Sequence, residues 1–298
     1  MANDQDWVVS TSKRTIQTGL IELYDSRAIL YALVKRELKS RYRGSIFGFA
    51  WALGKPLSML LIYSLIIGEV LGASRSLDYF ALYLFVGLMF WGFFSEAVGS
   101  STNSLVNSSG LLQKIAFPRE IIPLTSVVLA GVNTLIQVPV LILGYAFFNT
   151  WPPISKLVIL PILVVALFLF TLALSLMLSA LNVYLRDIQP LTDLSLTLLM
   201  YACPIIYSWT FVYDQVISRY GSSALFDIYI LNPLASVFIG LQDALWPGTR
   251  RYSNGEIANS LYTISSPTIW VLLLSSVILA LFSYRIFLKL EPNFAREL

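Results

Sequence analysis

One carboxylate, Glu96, sits deep in a run that otherwise reads as membrane-soluble, "YFALYLFVGLMFWGFFSEAVGSSTNS". An ionisable group at such depth marks a functional position. Three roles suit it: a proton relay, the polar lining of a conduit with Ser100 and Asn103, or a structural hydrogen bond. Other chemistry is scarce. The chain has no histidine and one cysteine, Cys203, which excludes a His-bearing metal site, a Ser-His-Asp or Cys-His triad and an intramolecular disulfide. No metal or cofactor is expected on it. Neither G-x-x-x-x-G-K-[ST] nor G-x-G-x-x-G occurs, so if the protein drives transport with ATP, the nucleotide and its Mg belong on another polypeptide.

The second concentration of charge is "YALVKRELKSRYRGSIFG", residues 31–48. Lys35, Arg36, Lys39, Arg41 and Arg43 stand there against one acid, Glu37, and Lys55 follows a short way into the next run. Leu30, Val34, Leu38 and Tyr42 recur every four residues, with Leu33 beside them, as one stripe of a helix. Glu37 and Arg41 are spaced to pair at i, i+4. An amphipathic helix lying flat on an anionic leaflet fits this pattern, each near-surface cation contributing about 1 kcal/mol. The same charges also serve as a bare orientation signal. Nucleic-acid binding is disfavoured, because no soluble domain stands beside the tract to present a reading surface. Gly44 and Gly48 offer a turn into the bilayer.

Composition sets the frame for both features. Of 298 residues 57% are hydrophobic and 12% charged, the latter roughly half the usual soluble share. The expectation is an all-α polytopic membrane protein. Charge gaps place six spans near 49–71, 79–104, 121–148, 157–180, 190–209 and 266–288. The fifth is the least hydrophobic, with Asp193 at its start and Pro204 breaking its far end. The opening segment lacks an apolar h-region, so no cleavable secretory signal is expected.

An even number of spans puts both termini on one side. Of the 20 basic residues only Arg75, Lys156, Arg219, Arg250 and Arg251 fall on the other, which places the termini in the cytoplasm. Residues 210–265 then face outward, and their uncharged centre, 228–242, is too short to span and reads as re-entrant or flat-lying. "LLQKIAFPRE" (111–120) and "NVYLRDI" (182–188) are short cytoplasmic links that suit either a knob for a partner protein or an ordinary turn. With 16 Tyr, 18 Phe and 7 Trp, aromatics such as Tyr63, Tyr79, Tyr83, Tyr201 and Tyr207 either line a path on which sugar rings slide or face lipid and its interface.

"VKRELKSRYRGSIFGFAWALGKP", "LLQKIAFPREIIP", "LNVYLRDI" and "LNPL", in that order, resemble the membrane permease of ABC-2 type exporters, and within it the branch that exports O-antigen, capsule and teichoic acid. The likeness spans roughly residues 28–290, leaving 1–27 as a cytoplasmic extension and 291–298 as a cytoplasmic tail. It implies a homodimer in the cytoplasmic (inner) membrane, joined to two copies of an ATP-binding subunit, that moves a lipid-linked polysaccharide. By the same resemblance the interfacial helix is about 28–46, and Lys114, Phe117, Pro118, Arg119 and Glu120 contact the ATPase. Residues 211–245 become short re-entrant helices with a turn at Asn232 and Pro233. Arg41, Arg43 and Lys55 become candidates to meet the pyrophosphate.

Other functions remain in view. An ABC-2 exporter of small lipids or drugs shares the layout. A secondary transporter would show a two-half repeat, and none is visible in the sequence. A non-transporting scaffold would explain the spans but not the outward segment.

Overall fold

The computed structural model describes residues 15–43, 51–70, 72–112, 117–262 and 266–297. Lys114 and the glycines at 44 and 48 lie outside them, as does the side chain of Tyr42.

Where no water is present, a backbone amide must bond within its own segment, so apolar runs become helices. Two helices precede the first such run, α1 (Ile16–Asp25) and α2 (Arg27–Tyr42). The run itself is α3 (Trp51–Tyr63), extended by a π-helical stretch, Ser64–Val70. Then come α4 (Phe80–Thr102), the short helices α5 (Ser104–Asn107) and α6 (Ser109–Leu112), and α7 (Ile121–Phe147). A short α8 (Ile154–Leu157) leads into α9 (Leu160–Tyr184), and α10 (Ile188–Ala202) follows. Three further helices are α11 (Trp209–Tyr220), α12 (Ala224–Ile230) and α13 (Pro233–Leu245). A two-residue antiparallel ribbon pairs β1 (Arg250–Arg251) with β2 (Ile257–Ala258). The chain closes with α14 (Pro267–Leu290), a single 3-10 turn and α15 (Phe294–Glu297).

Five stretches among the described residues are long and apolar enough to cross a bilayer: Leu53–Val70, Phe80–Thr102, Ile121–Phe147, Ile154–Tyr184 and Pro267–Asn293. They coincide with five of the six expected spans. The remaining one differs. Of residues 190–209 only those up to Ala202 belong to α10, a helix of 15 residues, about 22 Å long and short of the ~30 Å hydrocarbon core. The helix stops at Cys203, next to Pro204, whose missing amide proton and ring bar continuation.

The non-helical stretch after α10 has its carbonyls satisfied by distant side chains. Tyr83 Oη donates to Tyr207 O at 3.0 Å, Gln242 Nε2 to Ile205 O at 3.0 Å, and Tyr207 Oη back to Tyr201 O at 2.8 Å. Broken backbone inside a helix bundle is tolerated on this condition.

α4 is the central helix. Of its most apolar 18-residue stretch 78% is buried, against 6% for α3, as expected of a helix apolar on every side. α7 and α9 pack along it, and α14 packs on α9. α7 turns Val127, Asn133, Gln137 and Leu141 inward and leaves Leu135 and Leu143 exposed. α12 and α13 meet at an 83° bend. There Asn232 Oδ1 accepts from Leu234 N at 3.1 Å and Pro233 opens α13, so the expected turn at Asn232 and Pro233 is a cap followed by a first-turn proline. α13 is buried on all faces against α4 and α9.

α2 packs on α7. The face it buries holds Leu30, Leu33, Val34 and Leu38, while Lys35, Arg36, Lys39, Arg41 and Arg43 are exposed. Part of the apolar stripe thus rests on protein. α1 crosses α14, where Gly19 lets the helix backbone approach the Tyr284 ring.

Candidate functional site

α3, α4, α7 and α10 enclose a cavity of ≈ 850 Å³. Its lining brings Arg41, Lys55, Glu96 and Asp193 together with Asn133, Gln137 and Thr197 and with Tyr63, Leu88, Trp91, Met200 and Tyr201. Glu96 and Leu88, eight positions apart on α4, set the depth at about 12 Å.

The charged residues are organised by an ion pair. The Arg41 guanidinium of α2 meets the Glu96 carboxylate of α4, and Asn133 Nδ2 of α7 donates to the same Glu96 oxygen at 2.8 Å. Spacing had offered Glu37 as the partner of Arg41; the structure gives Arg41 to an acid 55 residues away. α2 therefore docks on the bundle through its stripe and through one charge. Both side chains stay about one-third exposed, so this is a wet contact at the cavity's edge.

Of the residues expected to line a path, Tyr63, Glu96 and Tyr201 reach this cavity, together with Arg41 and Lys55. Ser100 lies one turn beyond, where its Oγ donates to Glu96 O at 2.5 Å. Asn103 accepts from Asn182 Nδ2 at 3.4 Å. Tyr79 sits at the opposite end of α4, edge-on to Phe148. Tyr207 faces Tyr229, 3.5 Å between hydroxyls, outside the cavity. Tyr83 corrects its expectation: the side chain is fully buried and caps the broken end of α10, where its hydroxyl donates to Tyr207 O.

The 117–120 corner is packed into the fold. Phe117 and Pro118 are half-buried. Arg119 Nη1 donates to Glu291 O at 2.5 Å and its guanidinium lies over the Phe294 ring. Glu120 is 2% exposed and accepts from Tyr284 Oη at 3.0 Å. A buried carboxylate cannot be a surface contact, so Glu120 ties the corner to α14.

Asn133, Gln137 and Thr197 have no place among the sequence-based expectations, and Asp193 is marked there only as the start of the fifth span. Asn133 and Gln137 lie four apart in an uncharged span and share a helix face; two amides so placed carry the same signal, in weaker form, as an acid in a span. Among the described residues no group of three His, Cys, Asp or Glu side chains is arranged to hold a metal.

A helical bundle with several membrane-length apolar helices and a pocket edged by charge suits a membrane permease. Residues 29–246 match the family described as ABC-2 type transporter, and the chain belongs to that family. It is 34% identical over 250 residues to the O-antigen export system permease protein RfbA of Myxococcus xanthus, covering 84% of this chain and 91% of that one. To the protein of the same description from Klebsiella pneumoniae it is 28% identical over 270 residues, 91% and 95% of the two chains. The chain is a transport subunit and not itself a catalyst.

Proposed function

We propose that this permease exports a lipid-linked cell-surface polysaccharide of the O-antigen kind across the cytoplasmic membrane. The observation that carries the reading is the cavity, which gathers Arg41 and Lys55, the carboxylates Glu96 and Asp193, the amides Asn133 and Gln137, and the rings of Tyr63, Trp91 and Tyr201. A pyrophosphate-linked chain suits such a lining, with an anionic head for the cations and hydroxyl-rich rings with apolar C–H faces for the polar groups and aromatic rings. Similarity to the O-antigen permeases supports the same conclusion.

The working unit is a homodimer bound to two ATP-binding subunits, which hold ATP and Mg. Each protomer crosses six times, α10 and the irregular stretch to Tyr207 completing the fifth crossing, with both termini in the cytoplasm. The α12–α13 pair re-enters from the outer side and borders the exit. α2 lies at the inner leaflet, in contact with lipid and with the bundle, and Arg41, Arg43 and Lys55 meet the pyrophosphate as it arrives. ATP-driven closure presses on the 117–120 corner and shifts α14 through Arg119 and Glu120.

Reconstitution into vesicles tests the scheme. Transport of the lipid-linked polymer should require the ATP-binding subunits and ATP. Transport by this chain alone under a pH gradient would contradict it, as would ATPase stimulation by hydrophobic drugs but not by the polymer.

A further inference from the structure

Arg41 and Glu96 meet at the cavity's edge, and their surroundings are unequal. Glu96 has a second donor, since Asn133 Nδ2 of α7 reaches the same carboxylate oxygen at 2.8 Å. Arg41 stands in the last turn of α2, a helix that rests on α7 through its apolar stripe. A swing of the guanidinium therefore costs α2 none of that packing. Both side chains are about one-third exposed, so water covers what an exchange of partners uncovers and no charge is stranded. Lys55 of α3 lines the same cavity and is exposed.

A guanidinium grips phosphate through two parallel hydrogen bonds, and a diphosphate brings more charge and more acceptor oxygens than one carboxylate. We propose that Glu96 is a built-in competitor for the diphosphate head of the lipid-linked substrate. The head takes Arg41 from Glu96 and is held by Arg41 and Lys55, while Glu96 stays with Asn133. The ion pair is an autoinhibitory latch on the anion site, released by the ligand. Each anion that binds there must first displace Glu96, which lowers its affinity by the strength of the pair. This inference deepens the reading of the chain as a polysaccharide exporter and rests on it.

The test titrates farnesyl diphosphate into the full chain in phosphatidylcholine nanodiscs by calorimetry, as a double-mutant cycle. Glu96→Gln should tighten binding about two- to fivefold, the full strength of an exposed pair. Arg41→Gln should weaken it at least about fivefold. With Arg41→Gln already in place, Glu96→Gln should change the affinity by less than about 1.5-fold. Asp193→Asn removes the other carboxylate lining the cavity, which accepts from Gln189 Nε2 at 3.1 and 3.2 Å. It should tighten binding less than Glu96→Gln does. Equal tightening by the two, or tightening that survives the loss of Arg41, would reveal only a shared negative field and overturn the latch. Coupling seen with inorganic pyrophosphate and absent with the prenyl form would overturn the lipid-linked head as the occupant. Polymer export is measured separately on the complex with the ATPase. Export by a chain that shows no coupling overturns the latch alone; coupling in a chain whose complex exports nothing upholds the latch and counts against the exporter reading.

Discussion

Arg41 on α2 and Glu96 on α4 form an ion pair at the edge of the cavity, joining the basic tract to the one acid expected deep in a span. The two most chemically suggestive features of the sequence are thus one feature. Because each side chain is about a third exposed, the pair contributes at most about 1 kcal/mol. That suits a contact to be broken and remade. Glu96→Gln should raise hydrogen exchange across 27–42 by less than about tenfold, and reversing both charges together should restore much of the protection. Unchanged exchange in the single variant would show that the stripe alone holds α2.

The corner at 117–120 should behave as part of the fold. Tyr284→Phe removes one hydrogen bond to the buried Glu120 carboxylate, with a cost of about 1.5–3 kcal/mol for a charged partner. Glu120→Lys places a second cation near Arg119 in a buried site and should prevent recovery of folded protein from the membrane. Thermal unfolding in detergent measures both. Folded, coupled Glu120→Lys protein would return Glu120 to the surface.

A buried ion pair anchors the opposite end. Arg250 and Asp243, 2.5 Å apart, are 2% and 6% exposed, and the guanidinium lies 5.3 Å from the ring centres of both Trp209 and Trp246. Removing either partner strands a charge and should cost about 3–5 kcal/mol. Replacing both, Arg250→Met with Asp243→Leu, should cost less than either single change. A double-mutant cycle in the melting temperature checks the ordering.

Gly87 lets α4, α13 and the broken end of α10 meet. A Cβ there would stand 2.5 Å from Gln242 Nε2 and 2.7 Å from Ile205 O. Gly87→Ala should therefore displace Gln242 and cost about 1–3 kcal/mol. The buried Cys203, beside this break, provides the readout: maleimide labelling should be slow in the wild type and markedly faster in the variant.

Much of this layout is legible in the sequence because lipid enforces a simple rule. Uncharged runs such as 121–147 have no structural choice but helix, and a proline pair such as Pro152–Pro153 must end one. What escaped notice depends on partners far along the chain. The break after α10 is stable because of Tyr83 and Gln242, one from an earlier helix and one from a later one. A tyrosine in a span, such as Tyr83, reads the same whether it faces a path, faces lipid or caps a carbonyl. The pairing of Arg41 with Glu96 rather than Glu37 had no local signature, because helical spacing sees only the next turn. The burial of Glu120 has no local signature for the same reason: its partner is 164 residues away.

The central claim, that the cavity between α3, α4, α7 and α10 is the conduit, is tested most directly by site-specific photo-crosslinking during ATP-driven export. A crosslinking residue at position 63 or 197, on the cavity wall, should capture the moving polymer. One at position 168, where Phe168 is exposed on the outside of α9, should capture lipid only. Polymer captured at 168 and absent at 63 and 197 would contradict the account.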